Sequence, residues 1–251
     1  MADPAISFII PAHNEQRLLG STLDALFASA KAVGRPFEVI VVNDASTDHT
    51  GQIAQEHGAR VVPVELRHIA AVRNAGAQQA VGETLIFVDA DTLVPQATLR
   101  AALQAMNDGA VGGGAAVAFD QRLPIWMRLC ITLFMLVYRL GGWATGCFVF
   151  VRRDAVEAVG GFDEQYFAAE EWFLSRALKR HGRFVVVSEP VITSARKVQQ
   201  YSSWQLIWTL LRLLLKGPRA MRQREGLEIW YGPNPGASTL RDEPAPQQRN
   251  P

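Results

Sequence analysis

The chain has 251 residues, 49% of them hydrophobic and 20% charged, which marks a folded domain with a core of ordinary size and excludes a disordered chain. Its 25 Lys and Arg nearly balance 24 Asp and Glu, a formal net charge of +1, so no basic excess points to nucleic acid as a partner. Cys130 and Cys147 lack CxxC spacing and read as reduced thiols, and the Met-Ala-Asp-Pro start lacks a basic n-region and an apolar h-region, so the expected location is the cytoplasm.

In chain order, residues 7–10 form a short apolar run that ends at Pro11. Leu18, Leu19, Thr22, Leu23, Leu26, Phe27 and Ala30 then recur at three-and-four spacing, which predicts a helix, with Asn14 placed as its N-cap. Residues 38–42 make a second buried strand. A helix follows over 48–57, with Ser46 or Asp48 as its cap and Gly58 as its stop. Residues 60–64 read as a strand whose Pro63 suits a sheet edge. A helix over 69–81 and a strand over 84–88 complete this half.

The second half is less regular. It offers a helix over 96–106, a Gly-rich strand over 111–119, an apolar helix over 125–138 and a strand over 147–151. A helix over 170–181, a strand over 183–187 and an apolar helix over 204–215 follow. Gly112, Gly113 and Gly114 weaken their strand and leave room for a ligand or another backbone. From Gly232 onward Pro, Gly, Asn and Gln dominate, which predicts a disordered tail over 232–251. The expected organisation is a catalytic domain over 1–197, with a nucleotide-binding half at about 5–95 and an acceptor half at 96–197, then a helical appendage over 198–231.

Continuous apolar strands alternating with amphipathic helices predict an α/β fold, a mostly parallel sheet covered on both faces. Ligands of such sheets bind beyond the carboxyl ends of the strands, so the loops after Ile10, Val42 and Val88 should converge. Asp89-Ala90-Asp91 ends the fourth strand. Residues two apart share a face, so two carboxylates project together and call for a neutralising cation such as Mg²⁺ or Mn²⁺, which would also bridge a diphosphate. The plain alternative is a solvated turn. Asp44 ends the second strand and is placed to accept from a base N–H or a ribose hydroxyl. Pro11, Ala12, Asn14 and Glu15 follow the first strand, where they suit a nucleobase. The absence of GxGxxG disfavours a dinucleotide. Arg73 lies among small residues on its helix; it is either a surface charge or a phosphate contact. His13, His57, His68 and His181 show no ligand spacing.

These motifs, in this order, resemble the family 2 glycosyltransferases, inverting enzymes of the GT-A fold. The resemblance rests on Pro11-Ala12-His13-Asn14-Glu15, the run from Val41 to Asp48, Ala71-Val72-Arg73-Asn74-Ala75-Gly76, Asp89-Ala90-Asp91, Gly160-Gly161-Phe162-Asp163-Glu164 and Glu170-Glu171. It covers roughly residues 5–190. It implies that Pro11, Ala12, Asn14 and Glu15 form the base-and-ribose loop, that Asp44 contacts the base, and that Arg73, Asp89 and Ala90 lie on the nucleotide side. It implies Asp91 as metal ligand and Glu170-Glu171 as the pair whose acid activates the acceptor hydroxyl. Here Glu stands at 171 in place of the family's Asp, and which glutamate is the base stays open. Many GT-A enzymes add a late histidine as metal ligand. Residues 188–197 contain none, and Arg196 and Lys197 stand there, either facing a diphosphate or solvated.

The implied function is transfer of a sugar from a UDP- or GDP-sugar to an acceptor hydroxyl. The rival readings are a sugar nucleotidyltransferase and a catalytically silent sugar-nucleotide-binding protein. Trp204, Trp208, Arg212, Lys216, Arg219, Arg222 and Arg224 place aromatics beside a basic run, which suits a helix on an anionic membrane surface and equally one packed on the domain. Membrane contact would make the acceptor a lipid or lipid-linked. Residues 129–151 are interrupted by glycines, so a buried or interfacial helix is expected there rather than a span.

Overall fold

A computed structural model of the chain describes residues 5–121, 125–196 and 221–222. The elements run β1 (Ile6–Ala12), α1 (Leu19–Val33), β2 (Phe37–Asp44), α2 (Thr50–Glu56), β3 (Arg60–Val64), α3 (Ile69–Gln79), β4 (Thr84–Val88), β5 (Thr92–Leu93), α4 (Gln96–Asn107), β6 (Ala110–Phe119), α5 (Ile125–Gly141), β7 (Phe148–Arg152), α6 (Arg153–Ala158), α7 (Glu170–Leu178) and β8 (Arg183–Thr193). The helix expected over 204–215 and the tail over 232–251 lie outside the described residues.

The strands form one eight-stranded sheet in the order β3-β2-β1-β4-β7-β6-β8-β5. β3, β2, β1 and β4 are mutually parallel, and β6 is parallel to β8. β7 runs antiparallel between β4 and β6. An apolar run such as Phe148–Arg152 reads alike in either direction, so its sequence does not show the reversal. Both faces of the sheet are covered, which is why the strands carry unbroken apolar runs. Phe8, Ile10, Val39, Val41, Ile86 and Val88 pack in one core with Leu19, Leu23 and Leu26 of α1. Their alternates Ile9, Ile40, Val42, Leu85 and Phe87 pack in a second with Ala70, Val72, Leu174 and Leu178.

β3 is an edge strand, as its proline required. β1 is longer than expected. Its ladder with β4 stops at Ile9, so Pro11 and Ala12 pair with β2 alone, and a missing N–H is tolerated. β8 also continues past its expected end: its register against β6 shifts between Val187 and Val191, and Pro190 falls inside that irregularity. The triple glycine of β6 admits protein rather than a ligand. A Cβ on Gly113 would lie 2.0 Å from the Val185 carbonyl oxygen and 2.3 Å from the Phe150 ring. α5 ends at Gly141 and a turn leads into β7, so residues 129–151 form a helix and a strand. No helix among the described residues is long and apolar enough to cross a membrane.

Candidate functional site

The loops after β1, β2 and β3 are laced together. Asn14 does not cap α1, which begins at Leu19. Its backbone is left-handed at φ 53°, its N–H donates to Ser46 Oγ at 3.0 Å, and its side-chain oxygen accepts from Thr47 N–H at 2.8 Å. Glu15 N–H donates to Thr50 Oγ1 at 2.8 Å, and Gln16 N–H to Asp48 Oδ2 at 3.2 Å. Ser46 is thereby engaged with the β1 loop, and Asp48 alone supports α2, accepting from Thr50 N–H at 2.9 Å. Asp44, buried at the end of β2, accepts from the N–H groups of Leu66 at 2.7 Å and Arg67 at 2.9 Å. Its first duty is to fold the loop after β3 against β2. Arg67 in turn donates to His13, whose Nδ1 is 2.7 Å from the Asp44 carbonyl oxygen.

Arg73 is neither a surface charge nor a free phosphate contact. Its side chain is 2% exposed and sits between two carboxylates. Nη1 donates to Glu170 Oε1 at 2.5 Å, and Nη2 donates to Asp89 Oδ1 at 2.9 Å and to the Gly146 carbonyl at 2.7 Å. The guanidinium carbon lies 5.3 Å from the Phe162 ring centre. Burial opposes its charge, but Glu170, Asp89 and Glu171 outweigh that and raise its pKa. The sequence signal for this hub is weak, because its partners lie 16 and 97 residues away. The next residue, Asn74, carries no charge, and its type alone marks no site role. Its amide accepts from Phe162 N–H at 2.9 Å and donates to the Phe162 carbonyl at 2.9 Å and to Glu164 at 2.8 Å. It thus holds the Gly160–Glu164 turn on α3 as a strand partner would.

Glu170 and Glu171 open α7 after Ala169, which is left-handed at φ 59°. Glu170 is buried and consumed by Arg73. The Glu171 carboxyl lies close to Gly146, beside the hub. A methyl placed on Gly146 would sit 3.4 Å from Arg73 Nη2 and 3.5 Å from the Glu171 carboxyl carbon. Burial, then the neighbouring Glu170, push the Glu171 carboxyl up to about 8, with Arg73 opposing. Tyr138 of α5 lies in the same field; burial, then Glu171 and Glu170, raise its phenol and keep it protonated. Cys147 is a free thiol raised to about 12 by burial and by Asp89, hence inert as a nucleophile.

Asp89 and Asp91 each face a guanidinium. Asp91 lies 3.8 Å from Arg196 Nη2, which also donates to both Glu15 oxygens at 2.9 and 2.8 Å. The neutralising charge that the sequence argument gave to a divalent ion is thus partly supplied by Arg73 and Arg196. Arg196 is neither solvated nor free. The hard carboxylate oxygens of Asp91 and Glu15 suit Mg²⁺ or Mn²⁺, but they share that guanidinium, and no group of three or more His, Cys, Asp or Glu that could hold a metal occurs among the described residues. Ala90 does not face the site: its side chain is in the core and its carbonyl accepts from Thr22 Oγ1 at 2.9 Å. Pro11 and Ala12 are buried strand residues, and the half-buried loop begins at His13. Asn14 and Asp44 brace the loops after β1, β2 and β3. The other expected residues gather in two knots, Arg73–Asp89–Glu170 with Glu171, and Glu15–Arg196–Asp91. The Asp89-Ala90-Asp91 turn joins them.

Among the described residues, the four non-glycine residues with positive φ are Asn14, Ala45, Arg67 and Ala169, one at each rim loop after β1, β2 and β3 and one before α7. Such backbone is costly outside glycine and clusters where loops are shaped for function.

The architecture and the sequence were compared with known proteins. The chain is 28% identical over 225 residues to the probable glycosyltransferase YdaM of Bacillus subtilis, covering 80% of this chain and 53% of that protein. It is 34% identical over 101 residues to an undecaprenyl-phosphate 4-deoxy-4-formamido-L-arabinose transferase of Pectobacterium carotovorum, covering 36% of this chain and 30% of that one. The chain therefore spans about half or less of the length of these relatives. Among solved structures, the mannosyltransferase PcManGT of Pyrobaculum calidifontis with GDP-Man and Mn²⁺ superposes with a TM-score of 0.63 at 23% identity, covering 83% of this chain and 62% of that one. TarS of S. aureus with UDP-GlcNAc gives 0.58 at 21%, covering 75% and 58%. These likenesses show the GT-A fold. The family model for glycosyl transferase family 2 matches residues 7–160, more than half of the sequence and all of the loops after β1, β2, β3 and β4, and the chain belongs to that family.

Proposed function

We propose that the chain is an inverting glycosyltransferase that moves a sugar from a UDP- or GDP-sugar to an acceptor hydroxyl, with Glu171 as the general base. One observation carries the assignment: Arg73 consumes Glu170 in a buried ion pair and leaves Glu171, raised to about 8, beside Gly146. A carboxylate with that proton affinity is matched to taking a hydroxyl proton near neutral pH. The acceptor O–H gives its proton to Glu171, its oxygen bonds to the anomeric carbon from one face, and the nucleoside diphosphate leaves from the other. Arg73 positions Asp89 toward the donor side. A divalent ion held at Asp91 would offset charge on the leaving diphosphate.

An apolar, lipid-linked acceptor at a membrane surface fits the acceptor side. Tyr138, Trp143, Trp172 and Phe173 form a chain of edge contacts, 5.7, 5.8 and 4.7 Å between successive ring centres, around the helix that carries Glu171. On α5, Leu133, Leu136, Val137 and Leu140 are exposed at helical spacing. The name of the Pectobacterium relative includes a polyprenyl lipid, undecaprenyl phosphate, which supports the lipid character of the acceptor.

The test is nucleoside diphosphate release from UDP- and GDP-sugars with a lipid-linked sugar that carries free hydroxyls, in detergent, as the acceptor probe, against water-soluble sugars. Release that depends on acceptor and disappears in Glu171→Gln supports the reading. Full release in Glu171→Gln moves the base elsewhere, and pyrophosphate as product makes the chain a nucleotidyltransferase.

A further inference from the structure

The Glu15–Arg196–Asp91 bridge has no place in the chemistry above, yet it occupies the donor side. Arg196 follows β8, and the end of that strand is tied to the Asp91 turn: Thr92 pairs with Thr193, their hydroxyls are 3.0 Å apart, and Ser194 N–H donates to the Asp91 carbonyl at 3.1 Å. Asp120 Oδ1 accepts from Ala195 N–H at 2.8 Å and fixes the next residue. The backbone therefore delivers the Arg196 guanidinium to one place. There its Nη2 meets both oxygens of Glu15 and one of Asp91, with side chains 18%, 12% and 8% exposed. Its Nε is buried without a hydrogen-bond partner, a cost that the protein bears in holding the guanidinium there.

We propose that Arg196 is a resident cation at Asp91, a latch that a divalent ion must displace before that carboxylate can ligate it. The inference takes from the proposed function that Asp91 is the metal-binding carboxylate, and adds that this chain meets it with its own positive charge. Two cations cannot share one carboxylate oxygen at close range without strong repulsion in a partly buried site. Affinity for the ion alone is accordingly low, and the latch opens when a donor diphosphate offers the guanidinium new acceptors. The free Nε donor is available for one of them.

The experiment is Mn²⁺ binding to the nucleotide-free full chain, followed by calorimetry and by the electron paramagnetic resonance of free Mn²⁺. Arg196→Gln should bind Mn²⁺ about tenfold or more tightly than the wild type, the order expected for relieving one like-charge contact, and adding Asp91→Asn should abolish the gain. Equal or weaker binding by Arg196→Gln, with Asp91→Asn still abolishing it, overturns the latch and leaves the metal site intact. Binding by neither protein overturns both. Should Arg196→Gln not fold, the wild type itself decides: the Arg196 Nε–H resonance, assigned by its loss in Arg196→Lys, should shift as Mg²⁺ is added. A resonance unmoved at saturating Mg²⁺ contradicts the proposal.

Discussion

Arg73 donates to Glu170 at 2.5 Å across 97 residues of sequence, with both side chains almost sealed from solvent. The pair joins α3, which packs on β1 and β2, to the first turn of α7, and so sets where Glu171 stands. Removing one partner leaves the other charged and buried, which costs about 3–5 kcal/mol. Arg73→Met should lower urea-unfolding stability by about that amount, and Arg73→Met with Glu170→Met should cost less than the sum of the two single changes. A loss below about 1 kcal/mol in the single variant would mean that the pair holds nothing together.

Glu171 carries a sign that can be checked. Its folded pKa, about 8, lies above the ordinary carboxylate value, so the folded chain holds this proton more tightly than the unfolded chain does. Stability should therefore fall as pH rises from the ordinary carboxylate range toward 8, and Glu171→Gln should flatten that slope. The transfer rate should rise over the same interval, as the base loses its proton, and Glu171→Gln should lower kcat by about a hundredfold or more while donor affinity is kept. Melting temperature and kcat/KM measured across that pH range report both effects.

Asn74 tests the link between α3 and the Gly160–Glu164 turn. Asn74→Ala strands the N–H and carbonyl of Phe162, the ring of which packs on Phe87 at 4.9 Å and lies near Arg73. A loss of about 1–3 kcal/mol is expected. Asn74→Asp should recover only part of it, since it keeps the acceptor and loses the donors. Chemical denaturation of the two variants separates these outcomes.

Gly76 explains how closely α3 approaches the sheet. A Cβ there would lie 2.4 Å from Ile9 Cγ2 and 2.8 Å from Val42 Cγ2. Gly76→Ala should cost about 1–3 kcal/mol despite its better helix propensity, because the helix must lift from β1 and β2. An unchanged melting temperature would show that the approach is looser.

Much of the fold was legible in the sequence because periodicity reports burial. The apolar runs at residues 7–10, 38–42 and 84–88 and the stripe of α1 each state which faces are covered. The direction of β7, the length of β1 and the short elements β5 and α6 were not legible, since pairing partners decide them. For the site, residue type and strand-end position marked Asp44, Asp89, Asp91 and the glutamate pair. Neither signal shows that Arg73 would take Glu170, or that Arg196 would reach Glu15 181 residues earlier, because long-range ion pairs leave no local pattern. The basic residue that replaced an expected histidine was visible; its partners were not.

A sugar nucleoside diphosphate is expected to bind where the two ion-pair knots meet. The most direct test of this is the melting temperature of the full chain with UDP-, GDP- and dTDP-sugars, with and without Mn²⁺, in the wild type, Asp89→Ala and Asp91→Ala. At about 100 times its dissociation constant, a ligand bound only to the folded state should raise the melting temperature by roughly 5–10 °C. A UDP- or GDP-sugar should give such a rise, and both variants should lose it. No rise with any of these donors, or a rise that both variants keep, would contradict binding at that place.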